Sequence, residues 1–210
     1  MATSFPTTGI IDAFDRADGQ PSFTGGGWTN QIEGASSGTL SILTNQLAVL
    51  TNGAGDSSSA WYNTSTYGAD CEVYCTVPTL PGAGNPTELY ARLASPGSAA
   101  VDGYSVMFWH SDSVLRVYRF DNGVTTQLGA DISRTSVAGD SFGMQIIGST
   151  IEVWYKASGG VWSSYGTRTD STYSAAGNLG VGMWFSAVRV DDFGGGTYVP
   201  PTANVSWMNA

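Results

Sequence analysis

Charge is scarce in this chain of 210 residues, and basic charge scarcer still: charged residues make up 12%, with Lys+Arg 8 against Asp+Glu 17 and a formal net charge of -9. Such a negative surplus repels phosphate backbones and anionic lipid headgroups, which sets nucleic acid and membrane insertion aside as partners. No run approaches the ~20 apolar residues that a bilayer-spanning helix needs. The opening MATSFPTTG lacks the basic-then-apolar layout of a secretory leader, so synthesis in a cytoplasm is expected. Cysteine is nearly absent: Cys71 and Cys75 are the 2 present. Four positions apart in DCEVYCTV, they would stand ~13 Å apart on an extended strand, beyond the ~7 Å that a disulfide tolerates between Cα atoms. With one histidine, His110, and no second cysteine pair, they read as buried free thiols rather than zinc ligands.

A helical stripe is missing too. Short alternating runs recur every ~10 to 15 residues with turn chemistry between them, the pattern of an all-β domain. Strands are expected near 10–15, 28–32, 40–43, 46–51, 59–63, 71–78, 87–94, 103–110, 113–120, 124–129, 141–147, 150–156, 161–168, 178–185 and 188–193. DNG at 121–123 and GST at 148–150 read as tight hairpins; TNG at 51–53, PGAGNP at 81–86 and SGG at 158–160 read as looser connections. The length suits one domain with a sizeable core. Its expected limits are an arm over 1–9, a sandwich over 10–196, and an apolar, proline-containing tail over 197–210.

Alternate residues of a strand face opposite ways, so parity divides core from surface. One apolar face each is expected from Cys71, Val73, Cys75 and Val77; from Leu89, Ala91 and Leu93; from Val106 and Phe108; from Leu115 and Val117; and from Ile151 and Val153. Opposite these rows stand Tyr74, Tyr90 beside Arg92, Trp109, Tyr118 with Arg116 and Phe120, and Trp154. Aromatic rings with polar neighbours cover sugar or protein surface at low entropic cost, which makes Tyr74, Tyr90, Arg92, Trp109, Tyr118 and Trp154 the candidate ligand-binding residues. Parity leaves open which of these strands share a sheet, and whether sugar, partner or the chain's own loops cover them.

The chain also closes on an echo of its opening. IIDAFDRADG at 10–19 and VRVDDFGGG at 188–196 each set an Asp-x-Phe after branched apolar residues. Paired as neighbours, these two stretches would bring both ends of the sandwich to one place, with Phe14 beside Phe193.

DAFDRADG, GGGWTN, LSILTNQLAVL, DGYSVMFW, VLRVYRFDNG, GSTIEVWYK, DSTYSAAGNLGVGMW and VDDF together resemble the bacterial and bacteriophage concanavalin A-like lectin/glucanase domains of the laminin-G-like kind, over about residues 10–196. The resemblance implies an all-β jelly-roll sandwich of two curved antiparallel sheets with adjacent first and last strands. Fold alone does not settle activity. Glucanases of this fold carry Glu-x-Asp-x-x-Glu on one strand, because retaining hydrolysis places an acid and a nucleophile ~5 Å apart. Glu33, Glu72, Glu88 and Glu152 have no acidic residue two or five positions on, so no catalytic residue and no enzyme activity are expected. Many relatives hold a structural calcium ion near the junction of first and last strands. Asp12, Asp15, Asp191 and Asp192 either supply its oxygen ligands or cap turns and pair with Arg16 and Arg189; no cofactor is otherwise required. The resemblance, the missing leader and the apolar ends imply a bacteriophage virion component, a minor tail or capsid decoration protein. Its tails would dock either on the sandwich itself or on other virion subunits, with attachment to host glycans. The alternatives are a bacterial carbohydrate-binding module and a hydrolase with unrecognised carboxylates.

Overall fold

The computed structural model describes residues 4–19, 27–34, 38–53, 57–80, 86–184 and 187–200, and there is no α-helix among them. Their strands run β1 (Ile10–Asp12), β2 (Trp28–Asn30), β3 (Thr39–Ile42), β4 (Leu47–Thr51), β5 (Ser57–Tyr62), β6 (Cys71–Thr79), β7 (Pro86–Ala94), β8 (Asp102–Trp109), β9 (Val114–Asp121), β10 (Val124–Gln127), β11 (Ile132–Ser133), β12 (Asp140–Ile147), β13 (Thr150–Lys156), β14 (Ser163–Thr169), β15 (Asn178–Trp184) and β16 (Arg189–Thr197). The first sheet has the order β14-β13-β12-β6-β16-β4-β3 with β1 on β16; the second has the order β10-β9-β8-β7-β15-β5-β2 with β11 on β9. Every pairing within both sheets is antiparallel. The two-residue β11 is the strand that alternation misses, being too short to show a period.

The apolar rows meet between the sheets. Cys71, Val73, Cys75 and Val77 of β6 pack with Phe142, Met144 and Ile146 of β12, facing Leu89 and Ala91 of β7, Val106 and Phe108 of β8, and Leu179, Val181 and Met183 of β15. Burial of each large side chain contributes about 1.5–3 kcal/mol, and only a second sheet supplies the cover. Both cysteines are free and buried; burial pushes the Cys71 thiol up to about 12 and Cys75 well above its ordinary value. The expected hairpins form where the turn residues allow. Asn122 and Gly123 join β9 to β10, both at positive φ (51° and 77°), the mirror-image turn that matches strand twist. Gly148 and Ser149 join β12 to β13, with Ile147 opposite Thr150. Of the expected PGAGNP connection, residues 81–85 lie outside the described residues.

The two ends of the chain do lie side by side. β1 pairs with β16, Ile10 opposite Gly194 and Asp12 opposite Phe193. Phe14 and Phe193 are both fully buried and share one neighbour, Trp28, at ring-centroid distances of 6.0 and 4.9 Å. Asp12 fastens the junction: it accepts from Trp28 Nε1 (2.8 Å), from the Phe14 amide (2.8 Å) and from both terminal nitrogens of Arg16 (2.7 and 2.9 Å). β16 runs through Thr197, one residue past the expected end of the sandwich.

One parity assignment fails. The register of β7 against β8 slips between Ala91 and Ala94, and Arg92 there adopts φ 52°, so an inserted residue reverses the faces that follow it. Leu93 therefore leaves the inter-sheet core and joins Ile32, Tyr90, Val101 and Phe120 in a separate cluster. Arg92 turns inward instead. It is 2% exposed, and its guanidinium donates to the carbonyls of Ala69 (2.5 Å), Tyr173 (2.8 Å) and Gly148 (2.8 Å).

Candidate functional site

The outer face of the second sheet can be built from its registers. One row across the strands runs Ser59, Gly182, Glu88, Met107, Arg116; the next runs Trp61, Gly180, Tyr90, Ser105, Tyr118; a third sets Ser57 beside Trp184 and, on the next two strands, Pro86 beside Trp109. Large rings thus alternate with residues too small to fill the space between them. A Cβ at Gly182 would stand 3.0 Å from the Tyr90 hydroxyl, a close approach that glycine avoids. The result is a cavity of about 300 Å³ lined by Glu33, Ser57, Glu88, Met107, Trp109, Tyr118, Phe120, Gly123, Thr125 and Trp184. That volume is at the lower end of the ~300–1,000 Å³ typical of small-ligand pockets. The Trp109 and Trp184 rings stand 6.2 Å apart at 47°, and the Arg116 guanidinium lies 5.0 Å over Trp109, held by Asp131 at 2.9 Å.

Two carboxyls enter the same cavity. Glu88 is 1% exposed, and its Oε2 accepts from the Tyr90 hydroxyl at 2.7 Å. Burial pushes its carboxyl up to about 8; the Ser105 and Tyr90 hydroxyls draw it down by less, and repulsion from Glu33 adds to the rise. Burial also raises Glu33. Burial thus disfavours the charged form of both carboxyls.

Of the residues expected to bind a ligand, Trp109 and Tyr118 come together at this cavity. Four do not stand open, and each has a physical reason. Tyr90 lies beneath the cavity, 2% exposed, packed on Phe120. Arg92 is turned inward by the β7 bulge. Tyr74 and Trp154 belong to the other sheet, where the chain's own arm covers them: Phe5 stacks on Trp154 at 5.0 Å and 8°, and meets Tyr74 at 6.0 Å and Trp162 at 4.9 Å, both edge-on. Buried Glu72 anchors that arm, accepting the amides of Thr7 (2.5 Å) and Thr8 (2.6 Å) and the Thr8 hydroxyl (2.7 Å). The N-terminal arm thus packs on its own sandwich. Residues 201–210, with Trp207 and Met208, lie outside the described residues. Sequence reasoning missed Glu33, Glu88 and Trp184 as site residues. The available signal was NLGVGMW, in which Gly180, Gly182 and Trp184 share one face.

Of the four carboxylates expected to ligate calcium or to cap turns, two have partners within the chain. Asp12 is engaged by Arg16 and Trp28 on both oxygens, and Asp191 accepts from the Asp192 amide at 2.9 Å. Among the described residues no three carboxylate, histidine or cysteine side chains gather as a cation site. Burial, with Asp192, Asp15 and Asp12 nearby, raises the Asp191 carboxyl despite that amide bond.

No protein-family model matches the chain, and no curated protein matches it. Solved structures do. The chain is similar to the carbohydrate binding module CBM66 from Bacillus subtilis, with a TM-score of 0.64 and 14% identity over 81% of this chain and 96% of that one. It is similar to the VIP36 exoplasmic/lumenal domain in a Ca2+/Man3GlcNAc-bound form, at 0.61 and 12% over 88% and 91%. It is also similar to a prokaryotic beta-1,3-1,4-glucanase (lichenase) derived from a mouse hindgut metagenome, at 0.60 and 9% over 90% and 98%. The sheet orders, the joined ends and these similarities together give the chain the fold of a concanavalin A-like lectin/glucanase domain.

Proposed function

We propose that the chain is a non-catalytic carbohydrate-binding domain whose ligand seats in the cavity ringed by Trp109, Tyr118 and Trp184. The observation that carries this reading is the cavity itself: aromatic rings spaced by glycine and serine on the outer face of the second sheet. Flat rings cover the apolar C–H faces of sugars, and the polar groups between them meet hydroxyls. Similarity in fold to a carbohydrate binding module and to a Ca2+/Man-bound domain supports the class of ligand. Titration against a glycan array tests it. Trp109→Ala is expected to weaken binding at least tenfold, while Trp154→Ala, whose ring lies under Phe5 on the other sheet, leaves it intact. A uniformly blank array overturns the reading.

Glycoside hydrolysis is the second reading, favoured by the two carboxyls in one cavity and by the similarity to a lichenase. Retaining hydrolysis needs a protonated acid beside an ionised nucleophile, with environments that push the two apart. Here burial pushes Glu33 and Glu88 in the same direction, which supports binding over cleavage. Release of reducing sugar from β-glucans would reverse that choice. A bacteriophage virion location rests on the resemblance and on the apolar segment beyond Thr197; truncation after Thr197 that leaves incorporation into particles unchanged counts against it.

A further inference from the structure

Glu88 lines the floor of the cavity with its two oxygens in different states. Oε2 accepts from Tyr90, whereas Oε1, buried, has no hydrogen-bond partner. Nε1 of Trp109 is buried without one as well, while the hydroxyl of Ser105, directly across from Tyr90, stands near enough to Glu88 to draw its carboxyl down. Buried polar atoms left unpaired each cost about 1–3 kcal/mol, and two lining one cavity leave room for a group that completes them.

The groups facing Glu88 decide its charge. From its own strand comes Tyr90, and from the segment after β2 comes Glu33. β8 offers Met107 and Ser105, and β15 offers Gly182, none of them charged. No lysine or arginine lines the cavity among the described residues; Arg116 lies over the Trp109 ring and is bound to Asp131. An ionised carboxylate there would have no cation to balance it and a second carboxyl nearby, so the carboxyl keeps its proton. With Oε2 occupied as an acceptor, that proton sits on Oε1.

We propose that Glu88 donates a hydrogen bond from Oε1 to an oxygen of an uncharged, hydroxylated sugar, that the cavity therefore rejects uronates and other anionic sugars, and that ionisation of Glu88 at alkaline pH releases the ligand. The proposal rests on the carbohydrate reading and narrows it to neutral sugars under control of one proton. On ionisation the proton leaves to solvent. The donor is then lost, and the carboxylate repels lone pairs that it previously bound.

Calorimetric titration of the whole chain with mannose, galactose and β-glucan oligosaccharides, and with glucuronate and galacturonate, at pH 6 and pH 9.5 provides the test. Neutral sugars are expected to bind at pH 6 and to weaken at least tenfold at pH 9.5. In Glu88→Gln, which keeps a donor and cannot ionise, the ratio between the two pH values should fall to about one. Equal affinity of the parent at both pH values, or a uronate held as tightly as its neutral counterpart, overturns the proposal. A parent that binds no sugar at pH 6 overturns the carbohydrate reading instead. Carbon-13 NMR titration of the glutamate side-chain carboxyls follows the Glu88 proton without any ligand, and a Glu88 already ionised at pH 6 overturns the proposal even where Glu88→Gln fails to fold.

Discussion

Replacing Arg92 by methionine, which has similar reach and no guanidinium, should cost the fold about 3–5 kcal/mol. The figure follows from the three carbonyls that Arg92 holds. Ala69 precedes β6, Gly148 turns β12 into β13, and Tyr173 lies between β14 and β15, so one buried side chain ties three connections together. Hydrogen bonds from a charged donor contribute about 1.5–3 kcal/mol each, or about 5–9 for the three. Against this, the variant no longer buries a cation, a relief worth several kcal/mol. The ion pair with Asp70 spans 3.8 Å to a half-exposed partner and adds little. The remainder is a large share of the ~5–15 kcal/mol that holds a domain folded. Urea unfolding followed by tryptophan fluorescence reads it as a lower midpoint. Arg92→Lys keeps the charge but places a single point of donors where a planar fork reaches three ways, so it should recover only part of the loss. If methionine costs less than about 1 kcal/mol, or lysine restores full stability, then the three-way clasp is not what keeps Arg92 buried.

The pH dependence of stability separates Glu88 from His110. Glu88 rises from 4.5 to about 8, so the folded state keeps a proton that the unfolded chain has lost, and stability falls from pH 4.5 up to pH 8. His110 drops from 6.5 to about 4 by burial, which removes stability as pH falls below 6.5. Between pH 6.5 and 8 the Glu88 slope stands clear of that histidine, at about 1.4 kcal/mol per pH unit, and the difference between Glu88→Gln and the parent should grow in favour of the variant; a constant difference refutes it. Phe5→Ala should cost about 2 kcal/mol from lost burial and shift tryptophan emission to the red as Trp154 and Trp162 meet water; unchanged emission would mean that the arm does not cover them. Chelator should leave the melting temperature unchanged, because Asp12 is already engaged by Arg16 and Trp28. A fall on adding chelator would show a cation at the strand junction, since a ligand of the folded state must shift stability.

What could be read ahead of the structure, and what could not, follows from how alternation works. Cys71, Val73, Cys75 and Val77 declare a buried face because each apolar residue is two from the next and the backbone between them stays regular. The same rule fails at Leu93, since a bulge is a backbone event: one residue at positive φ, Arg92, inverts every side chain after it without leaving a break in the apolar pattern. Alternation is also silent about which sheet a strand joins. Tyr74, Trp109, Tyr118 and Trp154 all fall opposite core residues, yet two of them lie under Phe5 and two border a cavity.

The difference between the covered and the open face lies in side-chain size and in anchorage. On the first sheet Tyr74, Trp154 and Trp162 leave a slot for one further ring, and Glu72 fixes the Thr7 and Thr8 amides so that Phe5 reaches it. On the second sheet Gly182 and Ser105 stand between Trp184, Tyr118 and Trp109, and the space they leave is an open cavity with the Glu88 carboxyl on its floor. An apolar slot draws in part of its own chain, because burial alone rewards the contact. A cavity with the Glu88 carboxyl on its floor does not, because an apolar plug would bury Oε1 without a partner. The glycines of NLGVGMW and the lone glutamate of TELYA therefore act together: the first open the depression, and the second keeps it from being filled by anything that lacks oxygen to offer.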